Sequence, residues 1–447
     1  MIQVEIALPS GKSTSLVVPP LSKVEDLKLL AQKALAQRCL KLVTAEGSVL
    51  TGGEESLEAA GLQDGDLLTA IACQPKLSSS SRAFAFWCFG GGRLVTWGCA
   101  TPNLGGDSTP VRDQLRCVQQ MQSTEAAFAA VLENGSAITW GKADFGGDSS
   151  AVQDQLKNVQ QIQATEAAFA AVLENGSAIT WGKADFGGDS SAVQDQLKAV
   201  EKVQASFSAF AAILADGSVV TWGDPEYGAD SFAVRDQLKG VQQVQATYAA
   251  FAAILADGSV VTWGAPDFGG DSSAVQDQLK NVQQIQATDS AFAAILADGS
   301  AVTWGDPEFG GDSSAVQDHQ LRHAQQIQST ARAFAAILAD GSVVTWGDPN
   351  YGGDSFAVQD QLKGVQQVQA TYAAFAAILA DGSVVAWGDK EFGGDSSAVQ
   401  DQLRHVQQIQ ATDSAFAAIL ADGSVVAWGD PEWGGDSSVV QDQLAYL

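Results

Sequence analysis

The 447-residue chain is poor in several residue types, and each shortage narrows the possible functions. Its five cysteines, none after Cys117, show no regular spacing and no CxxC pair. This argues against a disulfide framework and a cysteine-held zinc site, and it favours a reducing compartment. No apolar run is long enough to span a membrane, and the first residues lack the features of a signal peptide. We therefore expect a cytoplasmic or nuclear protein that does not bind membranes.

Basic residues are also scarce. The chain has 24 Lys and Arg against 52 Asp and Glu, which gives a formal net charge of -28. Such a surface repels phosphate backbones, so we expect no nucleic-acid partner. The negative charge favours basic proteins or cations as partners. Alternatively, the charge only keeps a long repetitive chain soluble.

Histidine is rarer still. His319, His323 and His405 are the only three, and their spacing is irregular. No Gly-x-Ser-x-Gly motif is present either, so the usual nucleophile and base of a hydrolase are missing. We predict that the chain is not an enzyme and that it holds no resident metal.

The first 73 residues read as a small β-rich domain. Two predicted strands, Ile2–Leu8 and Ser13–Val18, flank a Pro-Ser-Gly-Lys turn. Helical periodicity follows over Ser22–Leu40, with Val24, Leu27, Leu30 and Leu35 on one side, and short strands end the domain.

These residues resemble the ubiquitin superfamily. The resemblance rests on Met1-Ile-Gln-Val, Gly11-Lys12, Lys41-Leu-Val, Glu55-Ser-Leu and Gly65-Asp-Leu-Leu-Thr-Ala-Ile, in that order. It implies a β-grasp fold and an apolar recognition patch near three residues: Leu8, Val43 and Ile71. The diglycine tail of ubiquitin is replaced by Cys73-Gln-Pro-Lys, so the resemblance implies a built-in module rather than a conjugated one. Alternatively, the three patch residues are ordinary, partly buried strand residues.

The remaining chain, residues 74–447, is an array of nine units. A Trp-Gly pair recurs every 41 to 43 residues, at Trp97, Trp140, Trp181, Trp222, Trp263, Trp304, Trp346, Trp387 and Trp428. Within a unit, Phe292–Leu296 and Ala301–Trp304 flank an Ala-Asp-Gly turn, which predicts a β-hairpin. Val282–Ala287 predicts a third strand, while Ala315–Gln317 could be a helical turn or a fourth strand.

The pattern of an apolar strand, Leu255-Ala-Asp-Gly, and a strand ending in Trp263-Gly resembles the regulator of chromosome condensation family. That resemblance implies a β-propeller, here with nine units in place of the usual seven. A closed ring, a seven-blade ring with extra units and an open spiral all fit the sequence. The first unit lacks the Asp-Gly turn and is expected to act as a cap. The predicted fold is mainly β: a β-grasp, ubiquitin-like domain followed by a nine-unit β-propeller-like array.

One aspartate after the Gly-rich loop recurs in every unit and is the candidate acidic face. These residues are Asp107, Asp148, Asp189, Asp230, Asp271, Asp312, Asp354, Asp395 and Asp436. A ring of carboxylates could bind calcium. The favoured alternative is that each aspartate caps the turn that follows it, so no cofactor is expected.

These observations favour a non-catalytic protein-interaction scaffold linked to the ubiquitin system, with ubiquitin receptors or basic proteins as partners. This prediction rests on the presence of a ubiquitin-like domain and a repeat array on one chain. Two alternatives stay open by resemblance: a HERC-like ubiquitin ligase or ligase subunit, and a guanine-nucleotide exchange factor for a small GTPase.

Overall fold

The computed structural model describes residues 1–35, 37, 40–50, 55–73, 75–88, 94–98, 107–115, 118–317 and 321–445. Cys39, Cys99, Cys117 and His319 therefore lie outside the described residues. The first elements are β1 (Ile2–Ala7), β2 (Ser13–Val18), α1 (Val24–Leu35), β3 (Leu40–Val43) and β4 (Leu67–Ala72).

The four N-terminal strands form one mixed sheet in the order β2-β1-β4-β3. β1 and β4 run parallel at its centre, and the two outer pairs are antiparallel. Val4, Ile6, Leu42 and Leu57 are fully buried together with α1, so one face of the sheet packs on the helix. This is the β-grasp arrangement that the sequence predicted.

The buried face of α1 differs in part from the prediction. Val24, Leu27 and Leu35 are fully buried, whereas Leu30 is 42% exposed. Ala31 takes the expected place of Leu30, because it lies four residues after Leu27 on the helix. The prediction that Leu30 lies on the same side as the other three apolar residues was therefore wrong.

Nine three-stranded antiparallel sheets follow, and each is called a blade, numbered in chain order. The inner strands are Pro75–Ser79, Val118–Ser123, Val159–Ala164, Val200–Ala205, Val241–Ala246, Val282–Ala287, Ala324–Ser329, Val365–Ala370 and Val406–Ala411. The middle strands are Ala83–Cys88, Ala127–Leu132, Ala168–Leu173, Ala209–Leu214, Ala250–Leu255, Ala291–Leu296, Ala333–Leu338, Ala374–Leu379 and Ala415–Leu420. The outer strands are Val95–Gly98, Ala137–Gly141, Ala178–Gly182, Val219–Gly223, Val260–Gly264, Ala301–Gly305, Val343–Gly347, Val384–Gly388 and Val425–Gly429.

The Asp-Gly hairpin forms where the sequence places it. In blade 6, Phe292 pairs with Trp304, and Gly299 in the turn has φ +80°, which favours glycine. The Phe and Trp rings stack with centroids 5.1 Å apart. The indole N–H of Trp304 donates to the carbonyl of Gly269, at 3.1 Å, and so ties the blade to the preceding connection.

The connections after the outer strands contain short helices instead of a fourth strand in the described part of the array. The first turns are 3-10 helices at Ala143–Phe145, Ala184–Phe186, Pro225–Tyr227, Pro266–Phe268, Pro307–Phe309, Pro349–Tyr351, Lys390–Phe392 and Pro431–Trp433. The second turns are 3-10 helices at Thr109–Val111, Phe232–Val234, Phe356–Val358 and Ser438–Val440, with α2 at Ser314–Gln317 and α3 at Gln441–Ala445. The helical alternative for Ala315–Gln317 was therefore the right one.

The nine blades close into a ring. Leu77, Phe84 and Trp97 of blade 1 share one buried cluster with Ala417 and Ile419 of blade 9. Each other pair of successive blades buries a similar cluster between its sheets. The first unit thus forms a three-stranded blade that packs on both neighbours, and the prediction that it acts as a terminal cap was wrong. Among the described residues no helix is long and apolar enough to cross a bilayer.

Candidate binding face at the ring axis

The loop from the inner to the middle strand has the same hydrogen bonds in blades 2 to 9. In blade 5, the Thr247 hydroxyl oxygen accepts from the N–H of Ala250 at 3.0 Å and donates to the carbonyl of Phe268 at 2.8 Å. These bonds fix the turn and place the next residue, Tyr248, at the axis of the ring. We call the residue at this position in each blade the axial residue.

The axial residues are joined by a belt of backbone hydrogen bonds between neighbouring blades. The N–H of Tyr248 donates to the carbonyl of Asp289 at 2.9 Å, and the same bond recurs from Glu125 in blade 2 round to Asp413 in blade 9. Asp413 donates to Ser81 of blade 1. Blades 1 and 2 are joined instead by an ion pair of Arg82 and Glu125, at 3.0 Å. The belt brings nine residues that are far apart in sequence to one place.

The axial position varies in chemistry although the surrounding units are near copies. The nine axial residues are Ser81, Glu125, Glu166, Phe207, Tyr248, Asp289, Ala331, Tyr372 and Asp413. Six residue types occur at this position, and blades share one where their units are copies: Val282–Ser300 and Val406–Ser424 are identical and contain Asp289 and Asp413. The array therefore holds the backbone constant and changes the side chains that face the axis.

Aromatic rings cover one arc of this face. Phe207 stacks on Tyr248 with centroids 4.1 Å apart, and Tyr227 contacts both rings at 5.5 Å. Phe186 and Phe268 extend the arc on either side, at 5.7 Å from Phe207 and 5.8 Å from Tyr248 respectively. These outer rings come from the 3-10 turns and are half-buried.

A second, smaller aromatic arc surrounds Tyr372. Its ring lies 5.7 Å from Tyr351 and 5.9 Å from Phe392. Between the arcs, the guanidinium of Arg332 packs over Phe309 at 4.4 Å and over Tyr351 at 5.1 Å. Aromatic faces therefore flank the axis on this side. Two of these rings already carry a stacked cation, because Arg332 lies over Tyr351 and the Lys183 ammonium lies over Phe186 at 4.4 Å.

Two pairs of acids complete the face. Burial, followed by the charge of Glu125, raises the pKa of Glu166 to about 7, so this carboxyl is partly protonated near neutral pH. Burial raises the pKa of Asp289 to about 6, with a partly opposing effect of Arg332. Burial also raises the pKa of Asp413 to about 6, against a hydrogen bond from Ser81.

The predicted acidic face lies elsewhere, in the connections. The side chain of each of the nine recurrent aspartates, from Asp107 to Asp436, accepts a hydrogen bond from the backbone N–H two residues on, at 2.8 to 3.0 Å. For Asp148, the hydrogen bond from Ser150 lowers the pKa of the carboxyl. No three His, Cys, Asp or Glu side chains converge as a metal site within the described residues. The aspartates thus occupy the turn-capping positions that the sequence alternative described.

The predicted patch of the N-terminal sheet is only partly exposed. Leu8 is 8% exposed and belongs to the core, Val43 is half-buried, and Ile71 is 42% exposed. Val43 and Ile71 share one face of the sheet, because they pair with Thr69 and Lys41, two residues apart on each strand. On the same face, Lys41 forms an ion pair with Glu133 of blade 2, at 3.5 Å.

The described histidines lie away from the axial residues. His323 and His405 immediately precede inner strands, at the end opposite the axial loops, with φ of +63° and +57°. The recurring residues did not indicate the axial face, because the axial position is one of those that change between units. That signal was available in the residue after each Thr or Ser of the first loop.

Comparison with known proteins gives likenesses of structure alone. No protein-family model and no curated protein sequence matches the chain. The solved structure of yeast RCC1 (Prp20) bound to Kap60 is 15% identical over 76% of this chain and 87% of that one, with a TM-score of 0.42. Human WBSCR16 is 16% identical over 54% and 79% of the two chains, with a TM-score of 0.36. A ubiquitin from Caldiarchaeum subterraneum is 23% identical over 16% of this chain and 91% of its own, with a TM-score of 0.15.

Proposed function

We propose that the chain is a non-catalytic binding scaffold that holds a positively charged segment of a partner protein on the axial face of its ring. The observation that carries the proposal is the axial belt, which brings acids and aromatic rings from different blades to one face. Four of its nine residues are acids and three are aromatic. Carboxylates and aromatic faces together favour Lys and Arg side chains.

The axial face is better suited to this role than the more numerous acids of the connections. Asp148 and its equivalents are solvent-exposed and already bonded to backbone N–H groups. Exposed charges contribute little to affinity, whereas partly desolvated ones contribute more. The acidic connections instead attract a basic partner from a distance and keep the chain soluble.

The proposal is tested by two variants with the same change in formal charge. In one, Glu125 and Glu166 become Gln and Asp289 and Asp413 become Asn. In the control, four exposed aspartates of the connections become Asn: Asp154, Asp195, Asp236 and Asp277. Binding of a fluorescent arginine-rich peptide is followed by anisotropy at physiological salt, with a glutamate-rich peptide for comparison.

We expect the axial variant to lose at least tenfold in affinity for the arginine-rich peptide and the control to lose less than threefold. Equal losses in both variants would show that only the overall charge matters, and the proposed site would be wrong. Measurable binding of the glutamate-rich peptide at the same site would also contradict the proposal.

The link to the ubiquitin system is a second proposal, supported by Val43 and Ile71, two partly exposed apolar residues on one face of the N-terminal sheet. In it, this face docks a ubiquitin receptor while the ring holds its own partner. Ile71→Lys in the full chain should abolish capture of ubiquitin receptors, and Val17→Lys, on an exposed residue of β2, should not. If receptors bind neither the natural chain nor the Val17 variant, this proposal fails and the ring proposal is unaffected.

The ligase and exchange-factor alternatives predict different activities. A ligase would accept ubiquitin as a thioester on a cysteine of this chain, and an exchange factor would speed nucleotide release from a small GTPase. Either activity in the full chain would replace the non-catalytic proposal.

A further inference from the structure

The centre of the axial face is a cavity of about 530 Å³. Its lining includes Phe207, Tyr248, Asp289, Tyr372 and Asp413, together with the small residue Ala331. Glu125 and Glu166 do not line it, so its acids are the two aspartates. A cavity with both carboxylates and aromatic rings is suited to an organic cation.

Of the two aspartates in the cavity, Asp289 is the stronger indication of a cationic ligand. Its side chain makes no hydrogen bond or ion pair with any residue that the structure describes, although Asp413 accepts a bond from the Ser81 hydroxyl. A half-buried carboxylate without a partner is unfavourable when it is charged. A cation that enters the cavity would stabilise that charge.

The two nearby arginines do not supply this cation. Arg82 is held by Glu125, at 3.0 Å, and packs over Trp433 at 4.7 Å. Arg332 stacks on Phe309 and Tyr351, and its charge only partly offsets the effect of burial on Asp289. Neither arginine lines the cavity, whose charged residues are Asp289 and Asp413.

The aromatic residues set the chemistry of the ligand. Tyr248 and Tyr372 occupy the same position in blades 5 and 8, and each is followed in the next blade by an aspartate. The cavity is therefore lined by two Tyr–Asp pairs, Tyr248 with Asp289 and Tyr372 with Asp413. Such a pair offers a ring for the alkyl stem or cation and a carboxylate for its N–H groups.

We propose that the axial cavity is a pocket for one guanidinium or ammonium group on an alkyl chain. This inference rests on the proposed function, since an Arg or Lys side chain of the bound segment is the expected source. A free polyamine carries the same chemistry and is the other source.

The pocket is tested by calorimetric titration of the full chain with N-acetylarginine amide, N-acetyllysine amide and spermidine. N-acetylcitrulline amide, which has the shape of the arginine probe without its charge, is the control ligand. Asp289→Asn is the test variant, and Asp277→Asn makes the same change at an exposed position. A second variant, Ala331→Tyr, fills the cavity with a side chain that the same position already carries in blades 5 and 8.

We expect the arginine probe to bind at least tenfold more tightly than the citrulline probe. Asp289→Asn and Ala331→Tyr should each weaken it at least tenfold, and Asp277→Asn should leave it unchanged. Tighter binding of spermidine than of either amino-acid amide would identify a free polyamine as the ligand. Equal binding of the arginine and citrulline probes, or insensitivity to both cavity variants, would overturn the pocket.

The outcome also separates this inference from the proposed function. If the arginine-rich peptide still depends on the axial acids while the cavity variants have no effect, the face binds the partner but the pocket is wrong. If the probes bind in the cavity but the peptide does not depend on the axial acids, the pocket stands and the scaffold proposal fails.

Discussion

The backbone N–H of Asp413, in blade 9, donates to the carbonyl oxygen of Ser81, in blade 1, at 2.9 Å. The two residues are more than 300 positions apart, and their bond continues the belt that joins the other blades. Closure therefore places the first and last blades in the same relation as internal neighbours. It also completes the cavity, because Ser81 and Asp413 both line it.

Closure predicts that the seam between blades 9 and 1 contributes to stability as an internal interface does. The Trp97 indole donates to Gly434 across the seam at 3.1 Å, and Trp222 donates to Gly187 within the array at 3.0 Å. Trp97→Phe and Trp222→Phe should each lower the free energy of unfolding by about 1 kcal/mol, because each removes one hydrogen bond. Chemical denaturation measures both, and a neutral Trp97→Phe beside a destabilising Trp222→Phe would contradict the closed ring.

The aromatic stack of each blade predicts a larger loss. Phe334 is fully buried and stacks on Trp346 with centroids 5.2 Å apart. Phe334→Ala should lower the free energy of unfolding by about 3–5 kcal/mol, because it opens a cavity between blades. Denaturation midpoints and hydrogen exchange of blade 7 measure it, with exposed Phe356→Ala in the same unit as the control. A loss no larger than that of the control would contradict the packing described.

The raised carboxyl pKa values predict an unusual dependence of stability on pH. Asp289 and Asp413 have pKa values of about 6 in the folded chain, against roughly 3.9 for an unfolded aspartate. Between these values the folded state binds more protons, so the stability that these groups contribute falls as the pH rises from about 4 to about 6. Asp148 and similar capping residues have lowered pKa values and act in the opposite direction below about pH 4.

Asp289→Asn should remove part of this dependence. The variant should be more stable than the natural chain at pH 7.5 and gain less, or nothing, at pH 4.5. Thermal unfolding at the two pH values measures the difference. An equal effect at both pH values would show that the Asp289 carboxyl has an ordinary pKa in the folded ring.

Backbone conformation before the inner strands gives another prediction. Ala199 has φ +56°, and the equivalent residues in blades 5 and 8 are Gly240 and Gly364. Ala199→Gly should raise the free energy of unfolding by about 1 kcal/mol, because glycine adopts this conformation without strain. Gly240→Ala should lower the free energy of unfolding by a similar amount, because alanine is strained at the φ of +68° found there. A steric clash would not add to this loss, since the new Cβ would meet only the Ala256 Cβ, at 3.7 Å. The same sign for both changes would contradict the explanation.

The fold of each unit could be predicted because its signals are local. The Asp-Gly turn and the strand residues around it, as at Ala297–Gly299, determine the hairpin within a few residues. The number of units could be counted for the same reason, from the Trp-Gly pairs. Ring closure could not be predicted from the sequence, because the rotation between blades depends on packing of Phe, Ala and Trp across each interface.

The site was harder to predict than the fold. The most regular recurring acids are Asp148 and its equivalents, and they recur because each one caps the turn that follows it. The axial residues become neighbours only when the ring closes, so Tyr248 and Asp289 could not be placed beside Tyr372 and Asp413 from spacing alone. Leu8 was likewise assigned to a surface patch by resemblance, whereas the end of its strand is buried.

The most direct test of the axial site is to observe its tyrosines while a cationic ligand binds. The chain has five tyrosines, so selective ¹³C labelling gives few signals, and Tyr248→Phe and Tyr372→Phe assign the two at the axis. We predict that titration with the arginine-rich peptide shifts the signals of Tyr248 and Tyr372 in proportion to its bound fraction. If both signals stay in place while the peptide saturates the protein, the partner binds elsewhere and the account of the axial face is wrong.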